Sequence, residues 1–345
     1  MRSCCRSLVV LAIGLLAGCS GQLVRLDAVG KLNTELAPTP KLTPVAATPL
    51  PHRPHHPQAC VVAVIDVDGL LLNSDATGLG SWGENPVSLF RERLDTIERD
   101  PRIRAVVVRI NSPGGSVTAS DIMWRDLLAF KRRTGLPVVA CLMDVAAGGA
   151  YYLATSCDEI VAHPTSITGA IGCILNVYNL QDMMAQFNII GVPIKAGNKI
   201  DLGTPIKALD DEHRELLQTM ADEFHQRFRR IVVDRRDGVD PDESSTFDGR
   251  VFTAYQALDR HLVDRIGYLD DAIRSARQLA GVAQAEVMML HRHDDPPLSQ
   301  YATTPNTPLQ KTILPINVPG LDRSRLPCFL YMWQMEPSTE TLLGK

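Results

Sequence analysis

Aromatic residues make up only 5% of this 345-residue chain. Charge of one sign is missing too: 35 Lys and Arg against 39 Asp and Glu leave a formal net charge of −4. That near balance provides no basic footprint for nucleic acid. No apolar run approaches the roughly 20 residues that a membrane-crossing helix needs. His52, His55 and His56 stand without Cys or carboxylate partners at ligand spacing and read as solvated linker. The residues therefore call for no metal and no cofactor. Few aromatics beside ordinary amounts of Gly and Pro fit an α/β globule better than an all-β sandwich. With 45% hydrophobic and 21% charged residues the chain can bury a sizeable core, and its length allows about two domains.

The start of the chain does not read as fold. Arg2 and Arg6 precede the apolar run from Leu8 to Leu16, and Ala17-Gly18-Cys19-Ser20 follows. A short basic region, about 7–15 apolar residues and a small-residue site make a secretory leader. Leu16-Ala17-Gly18-Cys19 also resembles the bacterial lipobox, in which the cysteine is lipidated and becomes the first residue of the mature chain. Residues 1–18 are then a lipoprotein signal peptide. Loss of Arg2 and Arg6 takes the formal charge from −4 to −6. Ser20 beside the cysteine resembles outer-membrane sorting in Gram-negative lipoproteins. The expectation is an exported protein, lipid-anchored through Cys19 to the cell envelope and facing the periplasm.

Residues 19–59 carry Pro38, Pro40, Pro44, Pro49, Pro51, Pro54 and Pro57 and little periodic apolar content, which reads as an extended tether. Beyond the lipobox, Cys60, Cys141, Cys157, Cys173 and Cys328 form an odd set without paired spacing. They read as buried free thiols, with a Cys60–Cys328 disulfide left open.

Residues 60–281 alternate between strands and helices. Val61–Val67 is a buried-strand run, and Asn85-Pro86 opens a helix to about Arg99 with Val87, Phe90, Leu94 and Ile97 on one face. Ile103–Ile110 is a strand closed by Asn111-Ser112-Pro113-Gly114-Gly115-Ser116-Val117, and a helix follows from about Ser120 to Arg133. Further strands are expected at Pro137–Met143, Asp158–Ala162 and Ile171–Leu175. Such alternation implies a largely parallel sheet with right-handed crossovers. An apolar stripe including Leu209, Leu216, Leu217, Met220, Phe228 and Ile231 predicts a helix to about Arg235 that serves core and subunit interface. In residues 282–345, Val287–Leu290 reads as an edge strand. The apolar patch Cys328–Trp333 reads either as a strand packed back on the body or as a contact with another subunit.

The chemistry centres on Asp144-Val145-Ala146-Ala147-Gly148-Gly149-Ala150-Tyr151-Tyr152, a strand-to-helix junction. Gly114-Gly115 and Gly148-Gly149 both sit at strand ends and can meet at one edge of the sheet. Together they could offer two backbone N–H donors to one oxygen, as an oxyanion hole does.

These segments, together with Pro164–Gly172, Ile194–Gly197 and Asp248–Thr253, resemble the signal peptide peptidase A (protease IV) family of serine peptidases. The match spans roughly residues 60–280. The resemblance implies an α/β fold of the Clp-protease/crotonase kind, a repeated β-β-α superhelix. It also implies extended peptides or signal-peptide remnants as partners, and a homo-oligomer. Gly114, Gly115 and Gly149 would bind the peptide and the oxyanion.

The family dyad does not carry over. Aligned from Asp144 to Tyr152 without a gap, the nucleophilic serine falls on Gly148; aligned on the two glycines it falls on Ala147. The family's basic lysine falls on Ile200, with Lys199 one place early. Substitutes are few. Ser156 lies eight residues along the chain, about 12 Å away on a helix. Ser112 sits in the glycine turn, and Thr168 meets the same difficulty of placement. Two readings follow: a peptide- or partner-binding relative with little or no hydrolysis, or an active endopeptidase with a relocated dyad of Lys199 and Ser112. A crotonase-like acyl-thioester enzyme finds no support, because the chain reads as exported and shows no adenine-nucleotide motif.

Overall fold

In the computed structural model the described residues are 44–49, 60–74, 84–293, 297, 299–302 and 329–333. The leader, Cys19 and Cys328 lie outside them. The elements in chain order are β1 (Val45–Pro49), β2 (Val61–Leu71), α1 (Pro86–Arg99), β3 (Ile103–Ser116), α2 (Val117–Thr134), β4 (Val138–Ala147) and α3 (Gly149–Ala154). Then come β5 (Glu159–Ala162), β6 (Ile167–Gly169), α4 (Gln181–Gln186), α5 (Asp211–Arg235), β7 (Val251–Thr253), α6 (Ala254–Asp259), β8 (Arg265–Ile266), α7 (Leu269–Leu279), β9 (Glu286–Arg292) and β10 (Leu330–Met332).

The main sheet runs β1-β9-β2-β3-β4-β5-β8, with β10 added to β3, β6 to β4 and β7 to β6. From β9 to β8 every neighbouring pair is parallel. The antiparallel pairs are β1 with β9, β10 with β3 and β6 with β7. The fold is therefore α/β with a largely parallel sheet, as the alternating pattern predicts.

Period-two alternation divides the strand residues between two layers. Val61, Ala63, Ile65, Val106, Val108, Val138 and Ala140 face the layer that contains Phe90, Leu94, Leu127 and Phe130 of α1 and α2. Val62, Val64, Val107, Val139, Cys141 and Val161 face Leu269, Ala272, Ile273 and Ala276 of α7. Both faces are covered, which is why these strands read as continuous apolar runs. Local chemistry fixes the crossover helices. The Asn85 side chain accepts from the Val87 and Ser88 amides with Pro86 at the first helical position, and Ser116 Oγ accepts from the Ala119 amide at 3.1 Å.

Two expectations need correction. Ile171–Leu175 is not a strand of the sheet; it makes a single antiparallel bridge, Ile174 to Leu330. Val287–Leu290 lies inside β9, which is not an edge strand: β2 pairs on one side and β1 on the other. The edge is β1, built from residues the composition assigns to the tether. Nothing in a short apolar run says how many of its sides are paired, so the error is one of partners and not of element type. Of the stripe on α5, Phe228, Ile231 and Val232 are buried in the core as expected, and Leu216 and Met220 stay exposed. Of the free thiols, Cys141 and Cys157 are buried but Cys60 and Cys173 only half-buried.

Candidate functional site

The C-terminal ends of β3 and β4 lie side by side, with Ser112 paired to Ala146. This is the end of an open parallel sheet where ligands gather. Ala147 is the last residue of β4 and pairs with Gly169 of β6. Gly148 is the cap between β4 and α3, with φ 55° and ψ −122°. Its N–H donates to the Gly169 carbonyl at 2.9 Å, and its own carbonyl accepts from Tyr152 at 2.9 Å. A sharp turn of positive φ between strand and helix is where nucleophile elbows hold a serine. Of the two registers left open by the sequence, the gapless one would put the family serine position at this turn, on Gly148.

The two glycine turns meet in space. A Cβ placed on Gly114, whose φ is +103°, would lie 2.7 Å from the Gly149 amide nitrogen and 3.0 Å from the Ala147 carbonyl oxygen. The approach requires glycine, since φ there lies in a region L side chains avoid. The hydroxyls considered as substitutes are all engaged. Ser112 is fully buried and its Oγ accepts from the Gly114 amide at 3.1 Å. Thr168 donates to the Ala146 carbonyl at 2.6 Å, and Ser156 to Leu153 at 2.6 Å.

The free edge of β3 beside these turns is paired by the chain itself. β10 runs antiparallel to the end of β3, with Leu330 opposite Ser116, Tyr331 opposite Gly115 and Met332 opposite Gly114. Val117 donates to the Phe329 carbonyl at 3.3 Å and Trp333 to the Pro113 carbonyl at 2.9 Å. On its other edge Leu330 exchanges two hydrogen bonds of 3.0 Å with Ile174. Leu330, Tyr331 and Met332 are all buried. The Tyr331 ring stacks on Tyr152 with centroids 5.4 Å apart and packs against Phe228 at 4.9 Å. Its hydroxyl donates to the Phe224 carbonyl at 2.6 Å. Tyr152 in turn donates to Asp121 at 2.6 Å, and Arg227 holds the same carboxylate oxygen. Burial pushes the Tyr331 and Tyr152 hydroxyls up, and for Tyr152 the Asp121 carboxylate adds to the effect, so both remain protonated donors.

The positions assigned to the base lie in an exposed turn. Ile200 is 74% exposed. The Lys199 ammonium pairs with Glu212 in the first turn of α5. Lys195 and Lys207 share Asp201, and their hydrogen bonds hold its carboxyl down to about 2. Around this turn Phe187, Ile190, Val192 and Ile194 are exposed as well. Sequence reasoning missed the aromatic pocket of Tyr152, Phe228 and Tyr331. The patch Cys328–Trp333 was its one signal, but the partner of that patch is far away in sequence.

Residues 130–283 match the model of peptidase family S49. The Synechocystis protein named "Putative protease slr0021" is 33% identical over 217 residues, covering 63% of this chain and 77% of that protein. The chain belongs to peptidase family S49. Protease 4 of Salmonella typhi is 32% identical over 65% of this chain, but the aligned part is only 35% of that protein. "Serine protease SPPA, chloroplastic" of Arabidopsis thaliana is 33% identical over 55% of the chain and 28% of its own length. This S49 chain thus spans about a third of the length of these two relatives. The family's fold is of the Clp-protease/crotonase kind, in keeping with the parallel sheet. Among the described residues no helix is long and apolar enough to cross a membrane.

Proposed function

We propose that this S49 member is a lipid-anchored, oligomeric protein that binds extended, signal-type peptides or a partner, with little or no hydrolysis by the family's Ser–Lys chemistry. The observation that carries the reading is Gly148 at the elbow: the position from which a nucleophile would attack has no side chain. Removal of the nucleophile from a serine peptidase costs roughly a millionfold in rate, or about 8 kcal/mol of transition-state stabilisation. The backbone half of the site persists in the contact between Gly114 and Gly149 and in a groove that takes a strand along β3. Engagement of Ser112 by its own turn and of Lys199 by Glu212 favours this reading over a relocated dyad.

A second copy of the chain is the proposed cover for the exposed side chains Phe187, Ile190, Val192, Ile194 and Ile200. Attachment through Cys19 would keep the groove on the outer side of a membrane, facing the periplasm. A serine-reactive fluorophosphonate tests the chemistry. The expected result is no labelled residue in the folded protein. Stoichiometric labelling at a single serine would refute the reading.

A further inference from the structure

Away from the glycine turns, a cavity of about 620 Å³ lies between the segment 173–179, residues 207–209 and one face of α5. None of the described residues of β3, β4, α3 or β10 lines it, so it is separate from the edge of β3. Its volume is that of a small-molecule site.

Helical spacing sets one wall. Arg214, Leu217 and Ala221 fall at i, i+3 and i+7 and stand above one another on α5. The same stripe runs on into the core at Phe224 and Phe228. The C-terminal half of the helix thus packs on the body, while Leu217 and Ala221, both half-buried, turn to the cavity. Ile174 and Leu175 form the facing wall and are half-buried too. Cys173 lies beside them. Burial pushes its thiol up to about 12, so it stays neutral and adds soft apolar surface.

The charge at the cavity has one sign: Lys207 and Arg214 line it, and no Asp or Glu does. Lys207 shares Asp201 with Lys195, at 3.1 and 2.7 Å, so one carboxylate faces two ammoniums and leaves an excess positive charge. Arg214 is exposed and makes no ion pair among the described residues. Two acids close to it in sequence are engaged elsewhere: Asp210 accepts from the His213 amide, and Glu212 pairs with Lys199. A guanidinium presents a planar fork that matches the two oxygens of a carboxylate. Apolar walls below two cations call for an apolar chain with an anionic end.

We propose that this cavity binds a fatty acid, its acyl chain lying along Leu217, Ala221, Ile174 and Leu175 and its carboxylate at Arg214 and Lys207. The site is independent of the peptide reading of the β3 edge, and it adds a second ligand to the protein.

Calorimetric titration of the full chain, carrying Cys19→Ser so that no lipid is attached, tests the site. Octanoate, decanoate and laurate, each below its micellar concentration, read the chain; decanol and dodecyltrimethylammonium read the head. Binding should saturate at one fatty acid per chain and tighten roughly fourfold for each added methylene. Decanol and the cationic amphiphile should bind at least tenfold more weakly than the carboxylate of equal length. Arg214→Gln should weaken laurate binding by at least tenfold, and Ala221→Phe, which fills the cavity, should abolish it. Arg230→Gln, at an exposed arginine that does not line the cavity, should change nothing.

No saturable binding of laurate would overturn the proposal. So would equal affinity for octanoate and laurate, or a cationic amphiphile bound as tightly as laurate. Should Ala221→Phe not fold, Arg214→Gln decides, because its exposed side chain carries no part of the core; unchanged laurate affinity in that variant would place the ligand elsewhere and overturn the assignment.

Discussion

A side chain on Gly148 would begin 2.4 Å from the carbonyl oxygen of Tyr331, a distance at which two non-bonded atoms cannot coexist. Residues 183 positions apart in the sequence are thereby tied together: the strand-to-helix turn carries no side chain, and the chain's own backbone stands in the space.

Substituting Gly148 tests this tie. Gly148→Ala should lower stability by about 1–2 kcal/mol for its positive φ and by a further ~1–3 kcal/mol for the collision with Tyr331. Gly135→Ala is the control. That residue also has positive φ, +67°, but with ψ 8° it lies in the ordinary left-handed region and has nothing within 4 Å of its Cβ position, so it carries a smaller backbone cost and no collision. Chemical denaturation of the two variants checks the difference, and equal losses would mean that β10 yields freely.

The buried pair of Asp66 and Arg109 joins β2 to β3 beneath the site, with both side chains 5% exposed and two bonds of 2.6 and 2.8 Å. Arg109 also reaches the carbonyls of Gln300 and Ala302, which fastens part of the C-terminal region to the sheet. Asp66→Ala leaves the guanidinium without its carboxylate and should cost about 3–5 kcal/mol in urea unfolding. A loss below ~1 kcal/mol would show that the pair is not closed to water.

Cys141 and Cys157 are buried, and desolvation pushes both thiols up to about 12. Thiolate is the reactive form, so at pH 8 almost none is present. Mass mapping after iodoacetamide treatment of the native protein should find both unmodified and, in denaturant, both alkylated. Native alkylation at either would contradict the burial of both cysteines.

What the sequence reveals here follows the range of the forces involved. β2, β3, β4, α1 and the cap at Asn85 are legible because their signals are local: apolar runs, period-two alternation and a side chain that bonds amides two and three residues on. The junction at Gly148 is legible for the same reason. The roles of β1, β9 and β10 are not, because strand partners lie far along the chain and an apolar run of three to seven residues carries no mark of its partner. Ile171–Leu175 has the composition of a strand, yet its one bridge is to Leu330, so its pairing depends on a segment more than 150 positions away. The pocket around Tyr331 likewise draws on Tyr152, Phe224 and Phe228 from two different helices.

The central claim is that the peptide groove of this S49 protein survives without its nucleophile. Turnover of a panel of fluorogenic peptides by the wild type tests it directly. The expected result is no hydrolysis above background, with Ser112→Ala and Lys199→Ala changing nothing. Steady turnover that Ser112→Ala or Lys199→Ala abolishes would contradict the account.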